Sequence, residues 1–138
     1  MSKAKAIPLI DKYMTPGPHS VGEEQTLAQA HKLMREHHIR HLPVLHGGKL
    51  VGVLSDRDLH LIETLRDVDP EKVTVEEAMS PHVYTVSPKA PLDEVVREMV
   101  EHKYGCAVVE DNGKLVGVFT TVDAMQAFAD LLETRLTR

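Results

Sequence analysis

The sequence predicts an α+β fold built from two tandem β-α-β-β-α repeats. Three observations carry that expectation. The stretch from Gly48 to Asp58 returns sixty-five positions later as Gly113 to Asp123, and Met14-Thr15-Pro16 matches Met79-Ser80-Pro81 in the same register. Within each copy, apolar residues recur at helical spacing in one segment and run as short apolar strands in the next. Each strand pair flanks a glycine-bearing turn, Gly47-Gly48 in the first copy and Asn112-Gly113 in the second. Such pairs supply the positive φ angles of a tight hairpin.

The elements follow in order. Residues 1–12 form a lead-in whose Lys-rich start is expected to carry little order, with Ile7-Pro8-Leu9-Ile10 as its apolar part. The first repeat spans 13–66. A short strand at His19-Ser20-Val21 precedes a helix from about Leu27 to His37, where Thr26 caps the first turn and Gln29 reaches back to it. The strands Leu42 to Leu45 and Leu50 to Leu54 make the hairpin, and a second helix runs from about Asp56 to Leu65. Residues 67–77 read as a linker, in which Thr74 and Glu77 have the spacing of a further capping box. The second repeat spans 78–138. Pro91 opens its first helix, with Leu92, Val95, Val96, Met99 and Val100 on one face, and its last helix extends from about Thr121 to Leu136. A unit of this size buries little surface alone, so the repeats are expected to pack about a pseudo-twofold axis that leaves two related clefts.

Composition narrows the function. A chain of 138 residues with 42% hydrophobic residues supports a real core, made from aliphatic side chains because there are no Trp, two Phe and three Tyr. The net charge of -5, with acids and bases interspersed, offers no basic stripe for nucleic acid. No apolar run is long enough to span a membrane, and the first residues lack a signal peptide's apolar stretch, so a cytoplasmic protein is expected. One cysteine, Cys106, excludes an internal disulfide.

The chemistry concentrates at Ser55-x-x-Asp58 and Thr120-x-x-Asp123, where a strand runs into a helix. One reading is structural: a hydroxyl N-cap with an acid at the third helical position satisfies the helix-end N–H groups. The other is a ligand site. A helix start attracts an anion, and a carboxylate can accept both hydroxyls of a ribose, so sugar and phosphate at one junction imply a nucleotide.

With those residues in view, Ile39 to Val44 followed by Gly48 to Leu59 resembles a cystathionine beta-synthase (CBS) domain, and Tyr104 to Val109 with Gly113 to Asp123 resembles a second. The likeness extends from Tyr13 to about Phe128, as in a free-standing CBS pair, or Bateman module. It implies a regulatory or sensing module that binds AMP, ADP, ATP or S-adenosylmethionine in the clefts between its repeats, with no cofactor required. By that resemblance Ser55 and Asp58, and Thr120 and Asp123, hold the ribose. Arg40, His41, Pro43, Gly105, Cys106, Ala107, Thr15 and Ser80 line the base pocket, largely through backbone. Arg57 resembles the basic residue that meets phosphates in such modules; its plainer reading is a solvated surface cation. The second copy has Thr121-Val122 in place of Asp56-Arg57, and Val108 in place of Pro43, so the first motif ranks higher.

Other candidates have plainer readings. The cluster Glu36-His37-His38-Ile39-Arg40-His41 matches no usual metal signature, and adjacent His37 and His38 point to different sides of a helix. His41 is a candidate phosphate neighbour that binds anions better once protonated. Cys106, at the entrance to an apolar strand, reads as a packing residue rather than a redox sensor. The methionines 14, 34, 79, 99 and 125 read as packing. Met125, Phe128, Leu132 and Leu136 form an apolar stripe, with a similar one at Leu61, Ile62 and Leu65; surplus stripes of this kind imply a homodimer. No nucleophile–base pair or glycine-rich phosphate loop points to an enzyme. The expected function is adenosyl-ligand sensing on behalf of an unidentified regulated protein. The alternative is a ligand-free structural or protein-interaction module whose hydroxyl-x-x-Asp motifs are only helix caps.

Overall fold

The computed structural model describes residues 6–137, so the Lys-rich start of the lead-in lies largely outside the described residues. In chain order the elements are a 3-10 turn at Ile10–Lys12, β1 (Thr15–Pro16), β2 (Val21–Gly22), α1 (Leu27–His37), β3 (His41–His46), β4 (Lys49–Ser55), α2 (Asp56–Glu63) and α3 (Val75–Ala78). Then come β5 (Thr85–Val86), α4 (Leu92–His102), β6 (Cys106–Asp111), β7 (Lys114–Thr120) and α5 (Thr121–Arg135). The mixed helix and strand content and the repeated strand, helix, hairpin, helix order are those of the predicted α+β class.

Two compact units emerge, and they divide the chain differently from the sequence repeats. One is continuous, Pro18–Val83; the other is discontinuous, joining residues 6–17 to 84–137. The opening Met-Thr/Ser-Pro segment of each repeat folds with the other repeat's hairpin. Thr15 and Pro16 pair antiparallel with Val118 and Gly117 of β7, while Ser80 bridges Val53 of β4 through Val53 N to Ser80 O (3.0 Å) and Ser80 N to Val53 O (2.9 Å). The stretch 67–77, read as a linker, is itself folded: Val75 is fully buried in the continuous unit, and Leu27 N donates to Val73 O at 2.9 Å.

In the continuous unit the sheet order is β2-β3-β4, with β2 parallel and β4 antiparallel to β3. The hairpin turns through Gly47 (φ 56) and Gly48 (φ 79), as its dipeptide predicts. Thr26 and Gln29 form the reciprocal cap of α1. Leu27, Ala30 and Met34 on that helix meet Leu42, Val44 and Leu54 of the hairpin, and Leu59 on α2, in one core cluster. Each of the larger side chains among them contributes about 1.5–3 kcal/mol on burial. The discontinuous unit repeats the arrangement in the order β1-β7-β6-β5, with Leu92, Val95, Met99, Ala107, Val109, Phe119 and Ala127 as its core. Ile10 of the lead-in completes that core, held by its N–H to Ala90 O at 2.8 Å.

The glycine in the middle of each long strand now has a reason. A Cβ on Gly52 would lie 2.5 Å from Met79 Sδ and 2.7 Å from Ser80 O; one on Gly117 would lie 2.5 Å from Met14 Sδ and 3.2 Å from Thr15 O. The missing side chains let the Met-Thr/Ser-Pro segments lie against the strands. Met14 and Met79 are thus packing residues, as are buried Met34 and Met99, whereas Met125 is exposed, a correction to its reading as core. Ile62 packs on the core of the continuous unit while Leu61 and Leu65 stay exposed, so that expected stripe is narrower than its sequence suggests. Gly52→Ala is expected to lower the unfolding free energy by roughly 1–3 kcal/mol in urea titration, because a backbone carbonyl cannot swing aside. Gly117→Ala, whose nearest neighbour is a movable thioether, should cost less; equal stability of Gly52→Ala and wild type would contradict this packing.

Candidate functional site

The strand-to-helix corner of each unit is closed by the same set of hydrogen bonds. Ser55 N donates to Asp58 Oδ2 and Asp58 N donates to Ser55 Oγ, both at 3.0 Å. Thr120 N donates to Asp123 Oδ2 at 2.9 Å and Asp123 N to Thr120 Oγ1 at 3.3 Å. A second tie comes from the chain just before the hairpin: Asp56 N donates to Arg40 O (2.8 Å), and Thr121 N to Gly105 O (3.3 Å). Strand register sets His41 opposite Ser55 and Cys106 opposite Thr120. The capping role inferred for these motifs is therefore physically realised, and each is worth about 1 kcal/mol.

What remains after capping differs between the corners. Among the described residues, Asp58 Oδ1 has no hydrogen-bond partner, and Ser55 Oγ only accepts, so its own proton is uncommitted. In the other corner Thr120 Oγ1 donates to Asp123 Oδ2 at 3.2 Å, and Thr15 Oγ1 donates to Asp123 Oδ1 at 3.3 Å. The protein's own hydroxyls thus occupy both oxygens of Asp123. Ser80, the counterpart of Thr15, instead turns its hydroxyl to His82 O at 3.4 Å.

The continuous unit brings together Arg40, His41, Pro43, Ser55, Arg57, Asp58 and Ser80; the discontinuous unit brings together Thr15, Gly105, Cys106, Ala107, Thr120 and Asp123. Pro43 and Ala107 are fully buried, so they can meet a ligand only through backbone. Arg57 is exposed and makes no ion pair among the described residues, while Arg40 Nε lies 4.0 Å from Asp56 Oδ2. Two cations therefore accompany the Ser55 corner, against Gly105 and Val122 at the equivalent positions of the other. The Thr15–Asp123 contact is the feature that sequence reading missed. No sequence signal marks it, since the matching residues Ser80 and Asp58 do not make it.

Burial pushes the His41 imidazole below its ordinary 6.5, against the pull of the Asp56 and Asp58 carboxylates and with a small push from Arg40. Its expected role as a protonated phosphate neighbour is correspondingly confined to more acidic conditions. Burial also raises the Cys106 thiol to about 11, so it stays protonated and inert, in keeping with its packing role. Of the histidines in the 36–41 cluster, His37 stacks on His19 with ring centroids 3.7 Å apart. Three groups with ligand atoms near one another, Glu98, Glu101 and His102, sit on the surface of α4, where His102 Nε2 and Glu98 Oε1 pair at 2.9 Å.

The family model for the CBS domain matches residues 10–61 and again residues 75–130. The chain belongs to the CBS domain family. It carries a tandem pair of CBS domains, as the repeats suggested. Among curated relatives it is 34% identical over 111 residues to Hypoxic response protein 1 of Mycobacterium tuberculosis, covering 80% of this chain and 78% of that protein. In structure it is similar to the CBS domain pair of protein MJ0100, solved in complex with 5′-methylthioadenosine and S-adenosyl-L-methionine, with a TM-score of 0.82, 27% identity and coverage of 91% and 98% of the two chains. CBSX2 in complex with AMP gives a TM-score of 0.79 at 26% identity, covering 89% and 97%.

Because the folded state holds His41 less protonated than the unfolded chain does, stability is highest above pH 6.5 and is lost as pH falls from there through the lowered folded-state pKa. Wild type should therefore lose more stability than His41→Gln between about pH 7.5 and about pH 5.5 in parallel urea titrations. Identical slopes for the two proteins would contradict the burial of that ring.

Proposed function

We propose that this CBS pair is a regulatory module that senses an adenosyl ligand, AMP, ADP, ATP or S-adenosylmethionine, rather than an enzyme. The Ser55–Asp58 corner takes the ribose, with Asp58 Oδ1 accepting from the sugar diol and the Ser55 hydroxyl donating to it. One observation carries this reading: after capping, that corner still has an unengaged carboxylate oxygen and an uncommitted hydroxyl proton. Arg57 and Arg40 supply positive charge for phosphates, so this corner favours a phosphorylated ligand. Backbone from His41 to Pro43 and at Ser80 lines the base. The Thr120–Asp123 corner, with Gly105, Cys106 and Ala107 beside it, is the weaker site, since a ligand there competes with the Thr15 and Thr120 hydroxyls for Asp123.

Support comes from the solved relatives that hold S-adenosylmethionine, methylthioadenosine and AMP. No helix among the described residues is long and apolar enough to cross a membrane. The protein acts in the cytoplasm as a homodimer and passes the state of its site to a regulated protein, with no part for nucleic acid or a membrane. The rival reading, a ligand-free interaction module, draws on the completeness of both caps.

A thermal-shift and calorimetric screen with the four ligands separates the two. Saturation at about 100 Kd should stabilise the protein by roughly 2.7 kcal/mol. Asp58→Asn keeps an oxygen to cap Ser55 N, so its ligand-free melting temperature should hold while most of the ligand-induced gain disappears. Asp123→Asn should lose less of the gain. Stabilisation by none of the four would favour the rival.

A further inference from the structure

The C-terminal end of α4 carries donor groups that neither the caps nor the ligand corners use. His102 Nε2 lies 2.9 Å from Glu98 Oε1, one turn back on the same helix, and Glu101 completes a group whose ligand atoms all lie within 4.8 Å of one another. Among the described residues this is the one trio of histidine, cysteine or carboxylate side chains so gathered. The His31–Glu63 pair at 2.7 Å, between α1 and α2, has no third donor in that range.

A helical ion pair accounts for only part of this arrangement. An exposed Glu98–His102 pair is worth little by itself, and Glu101 makes no ion pair among the described residues. Glu101 also stands in the last turn of the helix, where the macrodipole favours a cation over an acid. The negative charge is felt nearby: burial first, then Glu98, Tyr104 and Glu94, raises the Tyr84 phenol above its ordinary 10.0. The imidazole is held in place as well. His102 stacks on Tyr104, and Tyr104 on Tyr84, with ring centroids 5.2 Å apart in each pair. Tyr104 reaches that position because Lys103 turns the chain at φ 58 and Tyr104 N donates to Met99 O at 2.9 Å. The first repeat supplies an internal contrast. Its matching residues are Leu33, Glu36 and His37, so one carboxylate is missing, and His37 stacks on His19 instead.

We propose that Glu98, Glu101 and His102 form a binding site for a divalent zinc-type ion, present on the discontinuous unit alone. One imidazole nitrogen and two carboxylate oxygens hold the ion, and water fills the open side. Donors about 2.0–2.2 Å from a tetrahedral ion stand roughly 3.3 Å from one another. The 2.9 Å pair is already near that spacing, and side-chain rotation brings in the third donor, with the ion replacing the proton between His102 and Glu98. A mixed nitrogen and oxygen set suits zinc and its first-row neighbours, whereas Ca²⁺ and Mg²⁺ favour oxygen alone. The site is independent of the adenosyl reading, since its residues take no part in either corner.

Calorimetric titration of the metal-stripped full chain with zinc chloride tests the assignment. Wild type is expected to take up one zinc that His102→Ala, Glu98→Gln and Glu101→Gln each weaken at least about tenfold, with unchanged circular dichroism. His37→Ala, at the equivalent position of the first repeat, should bind as wild type does. Nitrogen-15 spectra of the histidine rings should show zinc moving the His102 signals. No uptake by wild type, or uptake that His102→Ala leaves intact, would overturn the site. So would loss in His102→Ala while both glutamine variants bind as wild type does, the mark of a lone surface histidine capturing metal.

Discussion

The reciprocal cap at the strand-to-helix corner is the contact on which the rest of the account depends. It satisfies the first helical N–H groups, fixes where α2 and α5 begin, and holds a carboxylate at the surface beside the end of a hairpin. A carboxylate has more acceptor capacity than one backbone N–H consumes, so structural duty does not exclude ligand duty. Whether a corner is available is decided by the remaining oxygens and the hydroxyl proton. In the Ser55 corner they are uncommitted among the described residues; in the Thr120 corner Thr15 and Thr120 have taken them.

Much of this was legible from residue order. The gapless offset identified the repeat, Thr26 with Gln29 fixed the start of α1, and Gly47-Gly48 and Asn112-Gly113 located both hairpins, because each feature depends on neighbours a few positions apart. Pairings between distant segments were not legible. Met14-Thr15-Pro16 and Met79-Ser80-Pro81 have no periodicity and pair over two residues and one residue respectively, so nothing local says that each joins the other repeat's hairpin. Gly52 and Gly117 were the available hint, since an interior strand glycine signals a close backbone approach, but it does not name the approaching segment.

The candidate site was legible in its residue types and less so in its inequality. The missing cation at Val122 pointed to a difference, and the Thr15 hydroxyl adds a second one that only the fold reveals. The two copies keep the backbone that frames both corners, while side chains differ at two places: around the corner carboxylates, where Arg40 and Arg57 stand against Gly105 and Val122, and on the outward helix faces. The inward positions, Leu42 and Ala107, Leu54 and Phe119, Met34 and Met99, remain buried and apolar in both copies, as the packed core of each unit demands.

The most direct test of the central claim is a calorimetric titration of wild type and Asp58→Asn with AMP and with 2′,3′-dideoxy-AMP, which keeps the base and phosphate and lacks the diol. If Asp58 grips the sugar, loss of the diol should cost wild type at least about tenfold in affinity and cost Asp58→Asn little, which is the mark of two groups that touch. Equal affinity of wild type for the two nucleotides would contradict the account and leave Asp58 as a helix cap alone.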